Sequence, residues 1–140
     1  MDKLKIVPKG WGYEVHIANS ELYCGKQLHF IKGRHCSVHY HKLKDETFFL
    51  ASGELEVKYF RMDKFYESKG EEWKGWRDKE PEAFKEDWIC WNQTIILKPG
   101  DAFHVMPYMA HTMKGLVQSD MFEFSTQDFP EDSYRIIKGD

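Results

Sequence analysis

Residues 33–53 read GRHCSVHYHKLKDETFFLASG, and in this segment His39, His41 and Glu46 have a spacing typical of metal ligands. His39 and His41 are two positions apart, so on a strand both side chains project from the same face and can bind one ion together. Glu46 follows at the expected start of the next strand and offers an oxygen ligand. The spacing is G-x5-H-x-H-x4-E-x6-G, with Gly33 and Gly53 at its ends. The segment therefore predicts a metal site on neighbouring strands.

A fourth candidate ligand, His111, comes much later in the chain, after a turn at Lys98–Asp101. Three imidazoles and one carboxylate leave positions on a divalent ion open for water or substrate, as a catalytic site requires. Mixed nitrogen and oxygen ligands suit Mn, Fe, Ni, Co or Zn. We therefore expect one divalent ion per chain, bound by His39, His41, Glu46 and His111.

The first segment resembles the first motif of the cupin superfamily, and residues 100–115 resemble its second motif, G-x5-P-x-G-x2-H-x3-N. Gly100 and His111 keep the motif spacing. Other motif positions differ: the proline, second glycine and asparagine are replaced by Met106, Tyr108 and Gly115. The resemblance implies an all-β jelly-roll barrel, a single cupin domain over residues 1–140 with a short C-terminal tail.

Segments outside the two motifs are similar to sugar-isomerase cupins, namely the C-terminal domain of type II mannose-6-phosphate isomerases and the D-lyxose isomerase-like proteins. These segments are GWGYE at 10–14, YCGK at 23–26, FEFST at 122–126 and EDSYRI at 131–136. In all, the resemblance covers roughly residues 10–60 and 93–137. It implies a metal-dependent aldose–ketose isomerase that acts on a sugar or sugar phosphate through an enediolate.

Composition limits the classes of function. The chain has 140 residues, 41% hydrophobic, with mixed charges and a net charge of −3, which argues against nucleic acid or an anionic membrane as the main partner. It contains no run of 18 apolar residues and no apolar signal core near Met1. Cys24, Cys36 and Cys90 show no C-x-x-C spacing. We therefore expect a cytoplasmic protein with reduced thiols.

Short alternating runs separated by turn residues predict an antiparallel sandwich or barrel. The expected strands span residues 22–31, 35–41, 46–50, 54–60, 88–97, 102–106, 111–117 and 121–125. Residues 61–87 interrupt this pattern with dense charge and five aromatic residues, and Pro81 suits the first position of a short helix. This insertion is interpreted either as an excursion whose aromatics anchor it to the barrel, or as a lid that offers tryptophan faces to a sugar.

Glu123 is the candidate acid/base, because the resemblance to lyxose isomerases implies a catalytic glutamate in this segment. By alternation it shares a face with Met121 and Ser125, while Phe122 and Phe124 share the other face. If the phenylalanines pack between the sheets, Glu123 lies on the opposite face. A carboxylate near a metal-bound sugar can take a proton from C2. The alternative is a solvent-facing glutamate on an exposed strand.

Lys26 lies in register with the apolar residues of its strand, so its ammonium either reaches out to solvent or faces a polar cavity. The resemblance implies a lysine near the metal here, which would steady an enediolate or a phosphate. Arg135 can bind a phosphate or pair with Asp132. The tentative substrate-binding set is Lys44, Tyr40, His35 and Arg135.

Three other functions remain open from the residues alone. They are epimerisation or unsaturated-uronate processing, carbohydrate binding without catalysis, and iron-dependent dioxygenase chemistry on His39, His41 and Glu46. We also expect a homodimer, because an open sheet has edges to cover and Trp11, Tyr13 and Val15 alternate as an exchanged strand would.

Overall fold

The computed structural model describes residues 3–140 and, within them, eleven β-strands in two antiparallel sheets. The strands are β1 Lys5–Lys9, β2 Gly12–Asn19, β3 Cys24–Phe30, β4 Val38–Tyr40, β5 Glu46–Ser52, β6 Leu55–Arg61, β7 Gln93–Leu97, β8 Ala102–Val105, β9 Met109–Gly115, β10 Ser119–Ser125 and β11 Tyr134–Ile137. One sheet has the order β1-β2-β3-β10-β5-β8 and the other β11-β4-β9-β6-β7. The predicted all-β fold in a single small domain is confirmed.

The barrel interior is apolar at one level of the six-stranded sheet and charged at the next. Met121 on β10 pairs with Leu28 on β3 and Leu50 on β5, and all three side chains are buried. Two positions further along β10, Glu123 pairs with Lys26 and is also buried. Since inward positions recur every second residue, this alternation carries a lysine and a glutamate into the interior. Of the two alternatives for Lys26, solvent or a polar cavity, the structure shows the cavity.

The phenylalanines beside Glu123 lie on the outer face of the sheet. Phe124 is 57% exposed, whereas Glu123 is only 5% exposed. Phe122 and Phe124 therefore do not pack between the sheets. It is Glu123 whose side chain points into the interior. The alternative of a solvent-facing glutamate is wrong.

The expected strand over residues 88–97 is wrong in its first half. A helix, α2 Lys85–Trp91, precedes β7. Trp88 is buried in this helix while Ile89 and Trp91 are exposed, which is a helical and not an alternating pattern. The Asn92 side-chain amide donates a hydrogen bond to the Trp88 carbonyl oxygen at 2.8 Å, next to the end of the helix.

The insertion is mostly helical and has its own apolar cluster. It contains α1 Met62–Glu67 and three short 3-10 turns, Gly70–Trp73, Trp76–Asp78 and Pro81–Phe84, with Pro81 at the start of the last turn as predicted. Its buried aromatics, Tyr66, Trp76 and Phe84, pack with Trp88 of α2 and with Tyr40 of the barrel. This packing agrees with the interpretation of an anchored excursion.

Tyr108 stands at the second glycine of the cupin motif and has a left-handed backbone, with φ of 60°. A non-glycine residue pays about 1–2 kcal/mol for that conformation. Its ring lies 5.1 Å from the Trp76 ring and 6.1 Å from the Tyr40 ring, and its N–H donates to the His41 carbonyl oxygen at 2.8 Å. These contacts offset the strain, so the motif's turn is kept without its glycine.

Strand β2, which we expected to exchange between copies, pairs with β1 on one side and β3 on the other within its own chain. The homodimer stays a prediction. Among residues 3–140, no helix is both long and apolar enough to cross a membrane.

Candidate metal site

Three histidines converge where the two sheets face each other. His39 on β4 pairs directly with His111 on β9, and His41 follows the end of β4. The nearest ring nitrogens of these three histidines all lie within 4.8 Å of one another. His41 and His111 are buried. The structure thus brings together three of the four predicted ligands from distant parts of the sequence.

A backbone carbonyl fixes the orientation of each imidazole. The Nδ1 atoms of His39, His41 and His111 lie 3.0, 2.6 and 2.9 Å from the carbonyl oxygens of Ser37, Asp132 and Met109. Since a carbonyl only accepts, Nδ1 carries a proton in each case, and in the neutral ring Nε2 keeps its lone pair. This is the arrangement that metal-binding histidines adopt.

Glu46, at the start of β5, completes the group from the opposite sheet. Its Oε2 lies 3.2 Å from His41 Nε2 and 3.9 Å from His111 Nε2. Both Glu46 Oε2 and His111 Nε2 are buried without a hydrogen-bond partner among the described residues. Buried polar atoms that lack partners are costly, and a cation between them would satisfy both. The residues therefore fit a divalent ion held by three imidazole nitrogens and one carboxylate oxygen.

The protonation states of His39 and His111 also suit a cation. Burial lowers the pKa of His39 and of His111, so both rings are neutral and able to donate a lone pair. Burial acts in the same direction on His41, but the neighbouring Glu46 outweighs it and raises the pKa of His41. Burial opposes the charged form of Glu46, yet the contact with His41 and the charges of His111 and Lys44 lower its pKa.

A second group of charged side chains lies in the same cavity and comes from β3, β10 and the two loops that contain Lys44 and Asp128. Lys44 Nζ lies 2.8 Å from Glu123 Oε2 and 2.8 Å from Asp128 Oδ1. Lys26 Nζ lies 3.1 Å from Asp128 Oδ2. Lys44, Lys26 and Glu123 are all buried. This network, Lys26–Asp128–Lys44–Glu123, holds a carboxylate and two ammonium groups out of bulk water beside the histidines.

Burial and mutual charge set the titration of this network. Burial raises the pKa of Glu123, and the nearby Glu46 raises it further, while Lys44 and Lys26 oppose the rise. For Lys44 and Lys26 burial acts downward, but the charge of Glu123 outweighs it and raises the pKa of both lysines. Burial works against the charged form of Asp128, yet Lys44 and Lys26 lower its pKa to about 2.

The histidines and the charged network share one cavity of about 540 Å³. This volume is within the usual range for small-molecule sites. Apolar side chains form part of its wall, notably Trp11, Leu28, Phe48 and Met113. No residue of the range 61–92 lines the cavity in the described part of the chain. The site therefore combines a metal position, buried charged groups and room for a small molecule.

The tentative substrate-binding residues divide between the cavity and other places. Lys44 and Arg135 line the cavity. Tyr40 instead points into the aromatic cluster of the insertion, because it alternates with His39 and His41 along the strand, and its ring stacks 5.3 Å from Tyr134. His35 lies outside the cavity, where its Nδ1 donates to the Cys36 carbonyl oxygen at 2.9 Å. Tyr40 and His35 therefore do not face the cavity and are not candidates for substrate binding there.

Asp132 has a different role from the expected pairing with Arg135. Its carboxylate accepts hydrogen bonds from the backbone N–H groups of Lys42, Leu43 and Lys44 at 2.8–3.2 Å, and so closes the loop between His41 and Glu46. Arg135 makes no ion pair within the described residues. Its side chain remains available at the cavity.

Sequence reasoning missed Asp128, Glu14 and His16. Glu14 and His16 are neighbours on one face of β2, with Glu14 Oε1 lying 2.8 Å from His16 Nε2, and both line the cavity. A usable signal was the position of Lys26 on an apolar face, because a buried ammonium requires a carboxylate partner. That requirement predicts an acidic partner for Lys26 but not its place in the sequence, and in the structure the partner is Asp128.

No protein-family model matches this chain, and no curated protein matches it in sequence. Solved structures do resemble it. The capsular polysaccharide assembling protein CapF from Staphylococcus aureus superposes with a TM-score of 0.68 at 12% identity, over 96% of this chain and 34% of CapF. KdgF from Halomonas sp. superposes with a TM-score of 0.62 at 15% identity, over 93% of this chain and 92% of KdgF.

Oxalate decarboxylase from Lactobacillus farciminis superposes with a TM-score of 0.67 at 13% identity, over 95% of this chain and 34% of the enzyme. A similar match is oxalate decarboxylase from Bacillus subtilis, which contains Mn(II) centres. The chain spans about a third of the length of CapF and of the L. farciminis decarboxylase, and nearly all of KdgF. At these identities the likeness concerns the fold, and the chain has the cupin fold that its two metal motifs predict.

Proposed function

We propose that this protein is a metal-dependent aldose–ketose isomerase that acts on a sugar or sugar phosphate. The observation that carries the proposal is the Lys44–Glu123 pair, in which a buried carboxylate and a buried ammonium lie 2.8 Å apart in the cavity of the three histidines. Isomerisation requires a base that removes a proton from the carbon next to a carbonyl group. It also requires positive charge where the resulting oxyanion develops.

Glu123 is the proposed base. Its carboxylate would take the proton from C2 of the substrate and return it to C1, while the proton of the C2 hydroxyl group passes to the C1 oxygen. The carbonyl group thereby moves from C1 to C2. Burial raises the pKa of Glu123, and a base whose pKa lies closer to neutrality is a better acid in the return step. Glu123 alone would then serve as the base that removes the proton and as the acid that returns it.

Lys44 is proposed to position Glu123 and to supply charge. When Glu123 accepts a proton it loses its negative charge, so Lys44 becomes less neutralised just as the substrate becomes an enediolate. Lys26 carries a second positive charge on the same wall, held by Asp128 at 3.1 Å. In a cavity partly closed to water, these charges stabilise a developing oxyanion more strongly than they would in solution.

A divalent ion bound by His39, His41, Glu46 and His111 would supply a Lewis acid that polarises the substrate's carbonyl and neighbouring hydroxyl oxygens. The carbonyls that hold each Nδ1 proton keep the Nε2 atoms aimed at that position. The Mn(II) centres of B. subtilis oxalate decarboxylase, a structural neighbour, make manganese the first ion to test.

The test is turnover of aldoses and aldose phosphates by protein reconstituted separately with Mn, Fe, Co, Ni and Zn. We expect at least one pentose or hexose, free or phosphorylated, to give the ketose only in the presence of metal. Metal-dependent sugar binding without ketose formation would instead indicate a binding module. Oxygen consumption with iron would indicate a dioxygenase.

A further inference from the structure

The cavity is lined on one side by the edge strands of both sheets. Strand β1 is one edge strand of the six-stranded sheet, and β11 is one edge strand of the five-stranded sheet. Two basic residues of β1, Lys5 and Lys9, line the cavity, and so do Arg135 of β11 and Lys138 just after it. All four residues are exposed. Basic side chains therefore border the cavity where it meets solvent.

These four cations are not neutralised by nearby carboxylates. Within residues 3–140, none of them has a carboxylate oxygen within 4.0 Å of its charged nitrogen atoms. The carboxylates that line the cavity have other partners. Glu123 and Asp128 contact Lys44, Glu46 contacts His41, Glu14 contacts His16, and Asp140 accepts the His35 N–H at 2.9 Å. The border of the cavity is thus left with excess positive charge.

We propose that Lys5, Lys9, Arg135 and Lys138, which we call the rim cations, bind an anionic group of the substrate, so that the site selects charged over neutral sugars. The inference rests on the proposed function and narrows its substrate to a sugar that carries a phosphate or a carboxylate. Flexible lysines on one strand and a forked guanidinium on the other can hold such a group from two sides. The opposite end of the sugar would then reach the three histidines.

Binding, not turnover, tests the inference. The manganese-loaded protein is titrated calorimetrically with inorganic phosphate, glucose, glucose 6-phosphate and glucuronate. We expect phosphate to bind, and at least one charged sugar to bind about tenfold or more tightly than glucose, since hydrogen bonds between charged groups are stronger than those between neutral groups. A preference for glucose 6-phosphate identifies a phosphate, and a preference for glucuronate a carboxylate, as the natural group. Higher salt should weaken the binding of phosphate and of the charged sugars.

The variant K9Q/R135Q removes one cation from each strand, and K64Q/K85Q removes the same charge from exposed lysines of the insertion. We expect the first variant to lose about tenfold in affinity for the charged sugar and for phosphate, and the second to bind as the wild type does. Both should unfold at the wild-type temperature, because all four side chains are exposed.

Three results would overturn the inference: equal affinity for glucose and both charged sugars, an unchanged anion preference in K9Q/R135Q, or no titratable signal from phosphate or any sugar. Each of these is read from affinity alone. A protein that binds charged sugars at the rim but never forms a ketose would therefore refute the isomerase and keep the rim site.

Discussion

The main-chain carbonyl oxygen of Asp132 accepts a hydrogen bond from His41 Nδ1 at 2.6 Å, while the Asp132 carboxylate binds three consecutive backbone N–H groups that follow His41. One buried residue near the C-terminus therefore orients a metal ligand and closes the loop that leads to Glu46. The arrangement of the metal ligands therefore also depends on the turn Pro130–Asp132, which lies outside the strands that carry them.

Replacing Asp132 with alanine should destabilise the loop and weaken the metal site. Loss of the carboxylate leaves buried N–H groups without acceptors, at about 1–3 kcal/mol for each one that water cannot reach. We expect the free energy of unfolding to fall by about 3 kcal/mol, and metal affinity to fall about tenfold or more, as for other groups that orient ligands. Chemical denaturation and calorimetric titration with Mn²⁺ measure the two effects.

The neighbouring E131A substitution is the matched control, because Glu131 is exposed. It should change neither quantity measurably. If D132A binds manganese as tightly as E131A does, the carboxylate contributes nothing to the metal site.

Removing a histidine of the site should remove the metal. We expect one divalent ion per chain in the reconstituted wild type and less than half of that in H111A, since the remaining ligands hold the ion less tightly. H104A is the control, because the exposed His104 contacts Asp45 outside the site. Elemental analysis after reconstitution with Mn, Fe, Ni and Zn gives the result. Near-zero metal in all three proteins would refute the site.

Changing Glu123 to glutamine should stop the chemistry and leave the metal in place. The amide keeps the shape of the side chain and can accept a hydrogen bond from Lys44, but it cannot take a proton from C2. Loss of a general base costs about 100- to 10,000-fold in rate. Initial rates on a confirmed substrate, with metal content measured on the same sample, make the comparison.

D128N is an informative companion to E123Q, because it also removes one negative charge beside Lys44. It should reduce the rate less than E123Q does, since Asp128 is not the proposed base. A near wild-type rate in E123Q would leave Glu123 with no part in proton transfer.

The pH dependence of the rate should report the Lys44–Glu123 pair. The base must be ionised, so activity is lost as pH falls through the pKa of Glu123. Burial raises that pKa and Lys44 opposes the rise, so removing Lys44 raises the pKa further. The acid limb of the kcat/KM profile should therefore move to higher pH in K44M than in the wild type.

Metal loss in acid would also lower the rate, so bound metal is measured at every pH in both proteins. The comparison is restricted to the range where both proteins retain the ion. An acid limb at the same pH in K44M and the wild type would show that another group titrates.

The sequence was sufficient for the fold and for most of the metal site, because the ligands stand in two short motifs with recognisable spacing. Alternation puts His39 and His41 on one face, and glycine-bounded turns separate the strands. Tyr108 shows why matching motif letters alone would mislead: a tyrosine stands at the position of the motif's second glycine and has a left-handed backbone, which glycine adopts more readily.

The charged network could not be predicted from local spacing. Lys26, Lys44, Glu123 and Asp128 come from three separate segments, and only the pairing of β3 with β10 brings Lys26 opposite Glu123. Tyr40 was misassigned for a related reason. Its position between two histidines suggested the cavity, whereas the insertion covers the opposite face of β4 and buries the ring there.

The insertion should matter for stability and not for the metal or the chemistry. Trp76 is 3% exposed in the second apolar cluster, and truncating a buried tryptophan costs about 3–5 kcal/mol. We expect W76A to lower the free energy of unfolding by that amount, with metal content and KM unchanged at temperatures where the protein stays folded. W91A, at a site that is 57% exposed, should cost much less. Denaturation curves and steady-state kinetics separate the two roles, because a lid that stacks on sugar would raise KM in a tryptophan variant without a matching loss of stability.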